Sequence, residues 1–588
     1  STFPFLLKEK KVGMNLMEKE MLKSMIGIAK GDKKAPLVLK NCNIVNVLSH
    51  EIVRGDVAIF NGEIAGIGNY DGIENIDLKG KYLCPGFIDG HVHIESSMVT
   101  PSQFASAIVP RGTTTIIADP HEIANVKGLD GIRYIIEDSK NIPLDVFIVL
   151  PSCVPATPFE NSGAVLKAED LKELITHERV LGLGELMNFP GVINCDEDVL
   201  DKIVMAGDKK IDGHGPSISG KELNAYVAAG VSTEHECSNV EEMMSRLRLG
   251  MYILVREGSA AKNLLKLIKG VNKENIRRCL FCTDDKHPED ILKDGHIDYN
   301  IRLAIKEGMD PIDAVEMGTL NAAECYGLKG KGAIAPGYDA DLVVVDNLEE
   351  FNVLEVFKRG KLVGKNHLPM FEVAPSNTEK MENSVFIKEI KSDDLGINLK
   401  SNRVNVIKLN PNSLYTQKVE REVLVEDGKF KFSNDDILKV AVIERHKGTG
   451  NIGLGLVESF GLKNGAIAST IAHDSHNIIV IGDNDEDMVL AVNEIVRIGG
   501  GITTVSKGEV LKSLPLEIGG LMSKKPLKEV DKILKEMLQI AYDKLNVNKE
   551  IEPFMTLSFI ALPVIPEIKM TDLGLFDVMN FKFIDLSI

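Results

Sequence analysis

The sequence predicts an α/β fold in which a (β/α)8 barrel of the TIM type sits between the two halves of a composite β-sandwich and is followed by a C-terminal α+β domain. Three observations predict it. Short apolar runs alternate with helical patterns over residues 84–328, two β-rich blocks flank that region, and strand and helix patterns mix again after residue 403. At 588 residues, 44% hydrophobic and 26% charged, the chain is long enough for several cores and too apolar to be disordered. Its net charge of −18 repels phosphate backbones and argues against a nucleic-acid partner.

Residues 1–35 read as an N-terminal extension, in which 14–30 alternate apolar and charged positions at helical spacing. Residues 36–83 carry short β-branched runs separated by the hairpin signals Asn61-Gly62 and Asp71-Gly72. Residues 329–371 repeat that pattern around Arg359-Gly360, so the two blocks are expected to close into one β-sandwich domain. Between them, residues 84–328 hold eight candidate strands: near Gly86 to Glu95, Thr114 to Asp119, Val146 to Pro151, Val180 to Glu185, Lys210 to His214, Gly230 to His235, Met251 to Arg256 and Leu280 to Asp284. Eight βα units in about 250 residues is the size of such a barrel. Residues 372–402 read as a polar linker. Residues 403–588 then mix strands (Leu438 to Glu444, Ile478 to Ile481, Leu557 to Val564) with two amphipathic helices (Glu486 to Ile498, Pro526 to Leu545). No apolar stretch reaches the ~18 residues of a membrane helix, the start lacks the apolar core of a signal peptide, and the 8 cysteines are too sparse for a disulfide scaffold. A cytoplasmic protein without a membrane partner is expected.

The chemistry concentrates at the strand ends. His91 and His93 alternate along the first strand and therefore point the same way, as half of a Zn, Fe or Mn site would. Glu185 ends the fourth strand, His214 the fifth, His235 the sixth and Asp284 the eighth, all on the face where barrel active sites are built. Four imidazoles and two carboxylates converging there would strand unpaired polar groups in a dry core; a binuclear metal centre satisfies them.

The run Pro85-Gly86-Phe87-Ile88-Asp89-Gly90-His91-Val92-His93, with Pro336-Gly337-Tyr338-Asp339-Ala340-Asp341-Leu342, resembles the amidohydrolase superfamily. Within it the sequence is similar to the bacterial-type adenine deaminases, through His93-Ile94-Glu95-Ser96-Ser97, Asp119-Pro120-His121-Glu122, the run from Gly184 to Gly191, Asp212-Gly213-His214, Glu234-His235-Glu236, Thr283-Asp284-Asp285-Lys286-His287 and Ala472-His473-Asp474-Ser475-His476-Asn477. The resemblance implies two divalent ions, Mn²⁺ or Fe²⁺ in preference to Zn²⁺: one held by His91, His93 and Asp284, the second by His214 and His235, with Glu185 bridging where many superfamily members use a carbamylated lysine. It implies hydrolytic deamination of adenine to hypoxanthine and ammonia by a metal-bound hydroxide, in purine salvage, with catalytic roles for Asp284, Glu185 and His235.

In that scheme Asp284 ligates through one oxygen and moves protons with the other, free one. Ring N1 needs a proton donor, for which Glu95, His121, Glu122 and Glu236 are candidates; Glu95, Ser96, His121, Glu122, Glu236 and His473 are the expected substrate-binding residues. A homo-oligomer, most simply a dimer, is expected as the commonest closed arrangement. Two rival functions remain: another amidohydrolase reaction such as cyclic-amide hydrolysis or deacetylation, and a non-catalytic scaffold, which would be expected to have lost ligands. Arg256 reads equally as a pocket residue or a structural ion pair, and the remaining histidines, His296 among them, as mostly surface groups. Gly448-Thr449-Gly450-Asn451-Ile452-Gly453 matches a dinucleotide-loop pattern but reads as an ordinary loop because no helical stripe follows.

Overall fold

The computed structural model describes residues 18–374, 376–411, 413–433 and 436–588. Its centre is a barrel of eight parallel strands in chain order: Phe87–Val92, Thr113–Ala118, Asp145–Leu150, Val180–Leu186, Lys210–Gly213, Thr233–Glu234, Tyr252–Arg256 and Cys279–Cys282. The first five and the last three are each laddered as a parallel sheet. The eighth closes on the first through Asp284 N–H to the His91 carbonyl (2.9 Å) and His93 N–H to the Asp284 carbonyl (3.3 Å), and Ser232 N–H to the Ile211 carbonyl (3.0 Å) joins the fifth to the sixth. The first, second and eighth strands are buried along their whole length, which is why they read as uninterrupted apolar runs. The sixth is shorter than its apolar run, because Gly230, at φ +104°, still belongs to the turn that ends the preceding helix.

The β-rich blocks meet in one nine-stranded sheet. Its seam is the antiparallel pair Leu342–Val345 with Tyr82–Pro85, running from Leu342 opposite Pro85 to Val345 opposite Tyr82. Leu39, Ile44, Val57, Ile59 and Leu83 from the first block share a core with Leu342, Val344 and Phe357 from the second. Residues 18–29 are helical and lay Ile28 over the opposite face, against Val38, Ala58 and Ala65; residues 14–17 of the expected helix lie outside the described residues.

Asp341, which the sequence places in a family motif, does structural work. Its Oδ2 accepts Lys358 Nζ at 2.6 Å, and Lys358 and Lys331 both reach Asp145 on the third barrel strand. The cluster ties sheet to barrel. Burial pushes the Asp145 carboxyl up, but Lys358 and Lys331 outweigh it and hold the group well below the ordinary carboxylate range. A depressed carboxyl stabilises the fold above its unfolded pKa and loses that contribution as pH falls through its folded one. Lys358→Met is therefore expected to cost about 3 kcal/mol near neutrality in denaturant unfolding, the low end for a buried pair because Lys331 remains. The deficit should shrink on acidification; an unchanged midpoint at pH 7 would refute the role.

The C-terminal part is built on an eight-stranded sheet. Helix Asp485–Ile498 packs Met488, Ala491 and Ile495 on Ala441, Ile443 and Val480 of one face. Residues 372–402 add Met381, Ile390 and Leu395 to the buried core. Helix Leu527–Asp543 matches its expected span, but the expected strand Leu557 to Val564 is instead helix Pro553–Ile560 with a turn after it. Pro553 sits at its first turn, and the Glu552 side chain caps it by accepting the Met555 N–H. Burial on most faces removes the polar positions that would have revealed a helical period. In the glycine loop at 448–453 the Glu444 carboxylate accepts the N–H groups of His446, Lys447 and Thr449, filling the place a phosphate would take, and a strand, Ile452–Glu458, follows. Among the described residues, no helix is long and apolar enough to cross a membrane.

Candidate active site

The barrel's C-terminal mouth gathers the predicted ligands. His91 Nε2 and His93 Nε2 each lie 2.8 Å from Glu185 Oε1, and 3.5 and 3.0 Å from Asp284 Oδ1. His214 Nδ1 lies 3.0 Å from Glu185 Oε2, and His235 stacks on His91 with ring centroids 4.4 Å apart. Glu185 thus belongs to several groups of converging donor atoms, among them one with His91, His93 and Asp284, one with His214 and His235, and one with Asp119 and His121. Apart from His214, whose side chain is 23% exposed, the predicted ligands are buried.

The donor atoms are close without being hydrogen-bonded. His91 Nε2, Glu185 Oε1 and His214 Nδ1 are buried and have no hydrogen-bond partner, although an imidazole nitrogen and a carboxylate oxygen approach to 2.8 Å. Lone pairs facing lone pairs at that distance in a dry site are what divalent cations satisfy. The imidazoles are set for it: His93 Nδ1 is engaged by the Asp119 carbonyl at 2.9 Å, which leaves Nε2 to point inward. The residues fit a metal centre.

Arg256, at the end of the seventh strand, completes the ring. Its Nη1 lies 2.5 Å from Glu236 Oε1 and 2.6 Å from Asp284 Oδ2. The second oxygen of Asp284 is therefore held by a guanidinium instead of being free as expected. Burial pushes the Asp284 carboxyl up, and Arg256 and the two histidines overcome this and hold it well below its ordinary value.

Two family models match the chain: the amidohydrolase family over residues 82–363 and the adenine deaminase C-terminal domain over residues 413–582. Among curated proteins, it is 58% identical to an adenine deaminase of Clostridium acetobutylicum, over 95% of this chain and 98% of that one. It is 53% identical to adenine deaminase 2 of Carboxydothermus hydrogenoformans (96% and 100% covered) and 49% identical to an adenine deaminase of Geobacillus kaustophilus (96% and 99%). The chain belongs to the adenine deaminase family.

What distinguishes the adenine deaminase family from a bare amidohydrolase barrel is the C-terminal domain, and here its loop 472–477 reaches the barrel mouth. His473 Nδ1 meets Glu122 Oε1 at 2.9 Å, and His476 Nε2 bonds the other oxygen of Glu122. His476 Nδ1 accepts the Ala472 N–H, so its Nε2 carries the proton and the trio is a hydrogen-bonded clasp, not a further metal site. The His473 ring stacks on Phe559 with centroids 4.5 Å apart.

Beside the clasp lies a cavity of about 200 Å³, lined by Glu95, Ser96, Glu122 and His473 and by apolar groups including Leu521 and Phe554. That is below the size of a drug-sized pocket and suits a small heterocycle. Glu95 Oε1 accepts the Ile123 N–H at 3.0 Å, and burial pushes its carboxyl up to about 7. Ser96 Oγ bonds Asp285. His121 lies between Asp119 Oδ1 and Glu122 Oε1, 3.4 Å from each. Of the expected substrate-binding residues, Glu95, Ser96, Glu122 and His473 line this cavity; His121, between Asp119 and Glu122, and Glu236, on Arg256, do not.

Sequence reasoning left Arg256 between two readings and placed His296 wrongly. Arg256 had no visible partners, since Glu236 and Asp284 come from other strand ends. His296, taken as a surface group, is fully buried, with Nδ1 at 2.9 Å from Thr113 Oγ1 and Nε2 at 3.0 Å from Asp89 Oδ2. A histidine in a surface-like polar run carries no sequence signal of such a pairing.

Proposed function

We propose that this protein is an adenine aminohydrolase, converting adenine and water to hypoxanthine and ammonia. The observation that carries the reading is the coincidence of a complete, buried donor set with end-to-end similarity to curated adenine deaminases. His91, His93 and Asp284 would hold one divalent ion and His214 and His235 a second, with Glu185 spanning both. A nitrogen and oxygen donor set without thiolate suits Mn²⁺ or Fe²⁺ as well as Zn²⁺, and the family resemblance favours the first two. Bound ions would supply a water acidic enough to serve as nucleophile at neutral pH.

The chain's own groups do the rest. C6 of the purine is the carbon to be attacked, so N1 must gain a proton as the ring loses aromaticity there. Glu122 is committed to two histidines and Glu236 to Arg256, and His121 is flanked by two carboxylates. Glu95 has one oxygen anchored on the Ile123 N–H and lines the cavity, and we assign it as the N1 donor. Asp284 would take the water's proton and return it to the departing ammonia once Arg256, which holds its Oδ2 at 2.6 Å, shifts toward Glu236 and releases that oxygen. The clasp loop walls the purine and excludes water.

Ammonia release and the ultraviolet change on mixing Mn²⁺-loaded protein with adenine test the reading, with adenosine, guanine and cytosine in parallel. Selective, chelator-sensitive conversion of adenine is expected; no turnover with any divalent metal would overturn it. His473→Ala should raise KM for adenine about tenfold or more by opening the wall, and unaltered kinetics would remove the loop from substrate binding.

A further inference from the structure

The two halves of the donor set are each held by a buried carboxylate that is not itself among the candidate ligands. Asp89 Oδ1 accepts the backbone N–H groups of His91 (3.2 Å) and Thr283 (3.1 Å), while its Oδ2 takes the Thr283 hydroxyl and faces His296 Nε2 at 3.0 Å. Glu234 Oε1 accepts the N–H groups of His235 (3.1 Å) and Glu236 (3.0 Å), and its Oε2 that of Gly215 (3.0 Å), the residue after His214. Both carboxylates are fully buried. The eighth strand ends at Cys282, the sixth at Glu234 and the fifth at Gly213, so the N–H groups of Thr283, Gly215, His235 and Glu236 lie just beyond their ladders. Buried N–H groups need acceptors, and charged oxygens on a short stem supply them at fixed positions. Behind each carboxylate stands a buried cation-capable group: His296, itself bonded to Thr113, behind Asp89, and Arg246, 4.0 Å away and bonded to the Gly215 carbonyl, behind Glu234.

We infer that Asp89 and Glu234 are positioning residues that pre-set the two halves of the metal centre independently, Asp89 the half built from His91 and Asp284, and Glu234 the half built from His214 and His235. The inference rests on the two-ion reading above. Each carboxylate joins ligand-bearing backbone from strand ends of its own half and makes no hydrogen bond to the other half. Replacing the acid by its amide keeps the shape: in Glu234→Gln one acceptor oxygen becomes an NH₂ that meets a backbone N–H head-on, and in Asp89→Asn the amide loses the charge and turns its NH₂ toward Thr283 and His296, removing the acceptor of the Thr283 hydroxyl.

Mn²⁺ binding, followed by the paramagnetic signal of the free ion, tests this without relying on turnover. Wild type should bind two Mn²⁺ per chain; a single ion would sink the two-ion reading, and with it the inference, before any variant is made. With His214→Ala removing the second half, Asp89→Asn should weaken the remaining Mn²⁺ about 10–100-fold and Glu234→Gln by less than about threefold. With His91→Ala removing the first, the order should reverse. Equal weakening by both variants in either background, or weakening by neither, overturns the inference. If an amide variant does not fold, as judged by its thermal transition, Thr283→Val, which removes one hydrogen bond to Asp89, and Arg246→Met, which removes the cation 4.0 Å from Glu234, carry the same crossed expectation.

Discussion

Glu185→Gln is expected to lose at least one divalent ion per chain and to lower kcat on adenine by about 10³ or more. Glu185 is the one side chain common to both donor groups, with Oε1 at 2.8 Å from His91 and His93 and Oε2 at 3.0 Å from His214. An amide offers one acceptor oxygen and no charge, so one of the two groups loses its anionic member. Loss of several kcal/mol of charge stabilisation at the reacting centre corresponds to that factor in rate. Metal analysis and turnover measured on the same preparation check it. Full metal content with a wild-type rate would show that Glu185 does not bridge; full metal content with a slow rate would keep the chemistry and move the bridge elsewhere.

Glu95→Gln is expected to lower kcat by about 10²–10⁴ while leaving metal content and KM nearly unchanged, the size of effect seen when a positioned proton donor is removed. Glu95 follows the His91-Val92-His93 run on a short 3-10 turn, Ile94–Ser97, that aims it from the strand end into the cavity. The Ile123 N–H fixes one oxygen and would fix a glutamine carbonyl equally well, so the variant should fold and bind. It cannot give up a proton as the acid does. Activity within about threefold of wild type would exclude Glu95 as the donor and return the role to His121 or Glu236.

These two predictions differ in how visible their basis is in the primary structure. Glu185 was identifiable before any coordinates because the barrel imposes a rule: whatever ends a strand faces the mouth. Glu185, His214, His235 and Asp284 are far apart in sequence yet each closes an apolar run, and a one- or two-residue error in a strand boundary still leaves them at the same end. Glu95 was only one candidate of four, since its selection depends on which neighbours the other three had already taken.

Local chemistry in the sequence was therefore enough to predict the eight-stranded barrel, the order of its strands, the joining of the two flanking β-blocks and the six side chains that converge at the barrel mouth. Those features follow from periodicities and strand ends that repeat over a few residues. Tertiary structure alone decided what crosses between distant segments: Arg256 on Glu236 and Asp284, His473 and His476 on Glu122 across some 350 positions, Lys358 between Asp341 and Asp145, and His296 beneath Asp89. It also made a helix of 553–560, where burial on most faces had erased the period. The physical reason is the same in each case. A polar side chain is satisfied by whichever partner the packed core delivers to it, and that partner is set by the closure of the whole barrel and its covering domain, not by the residues beside it in the chain.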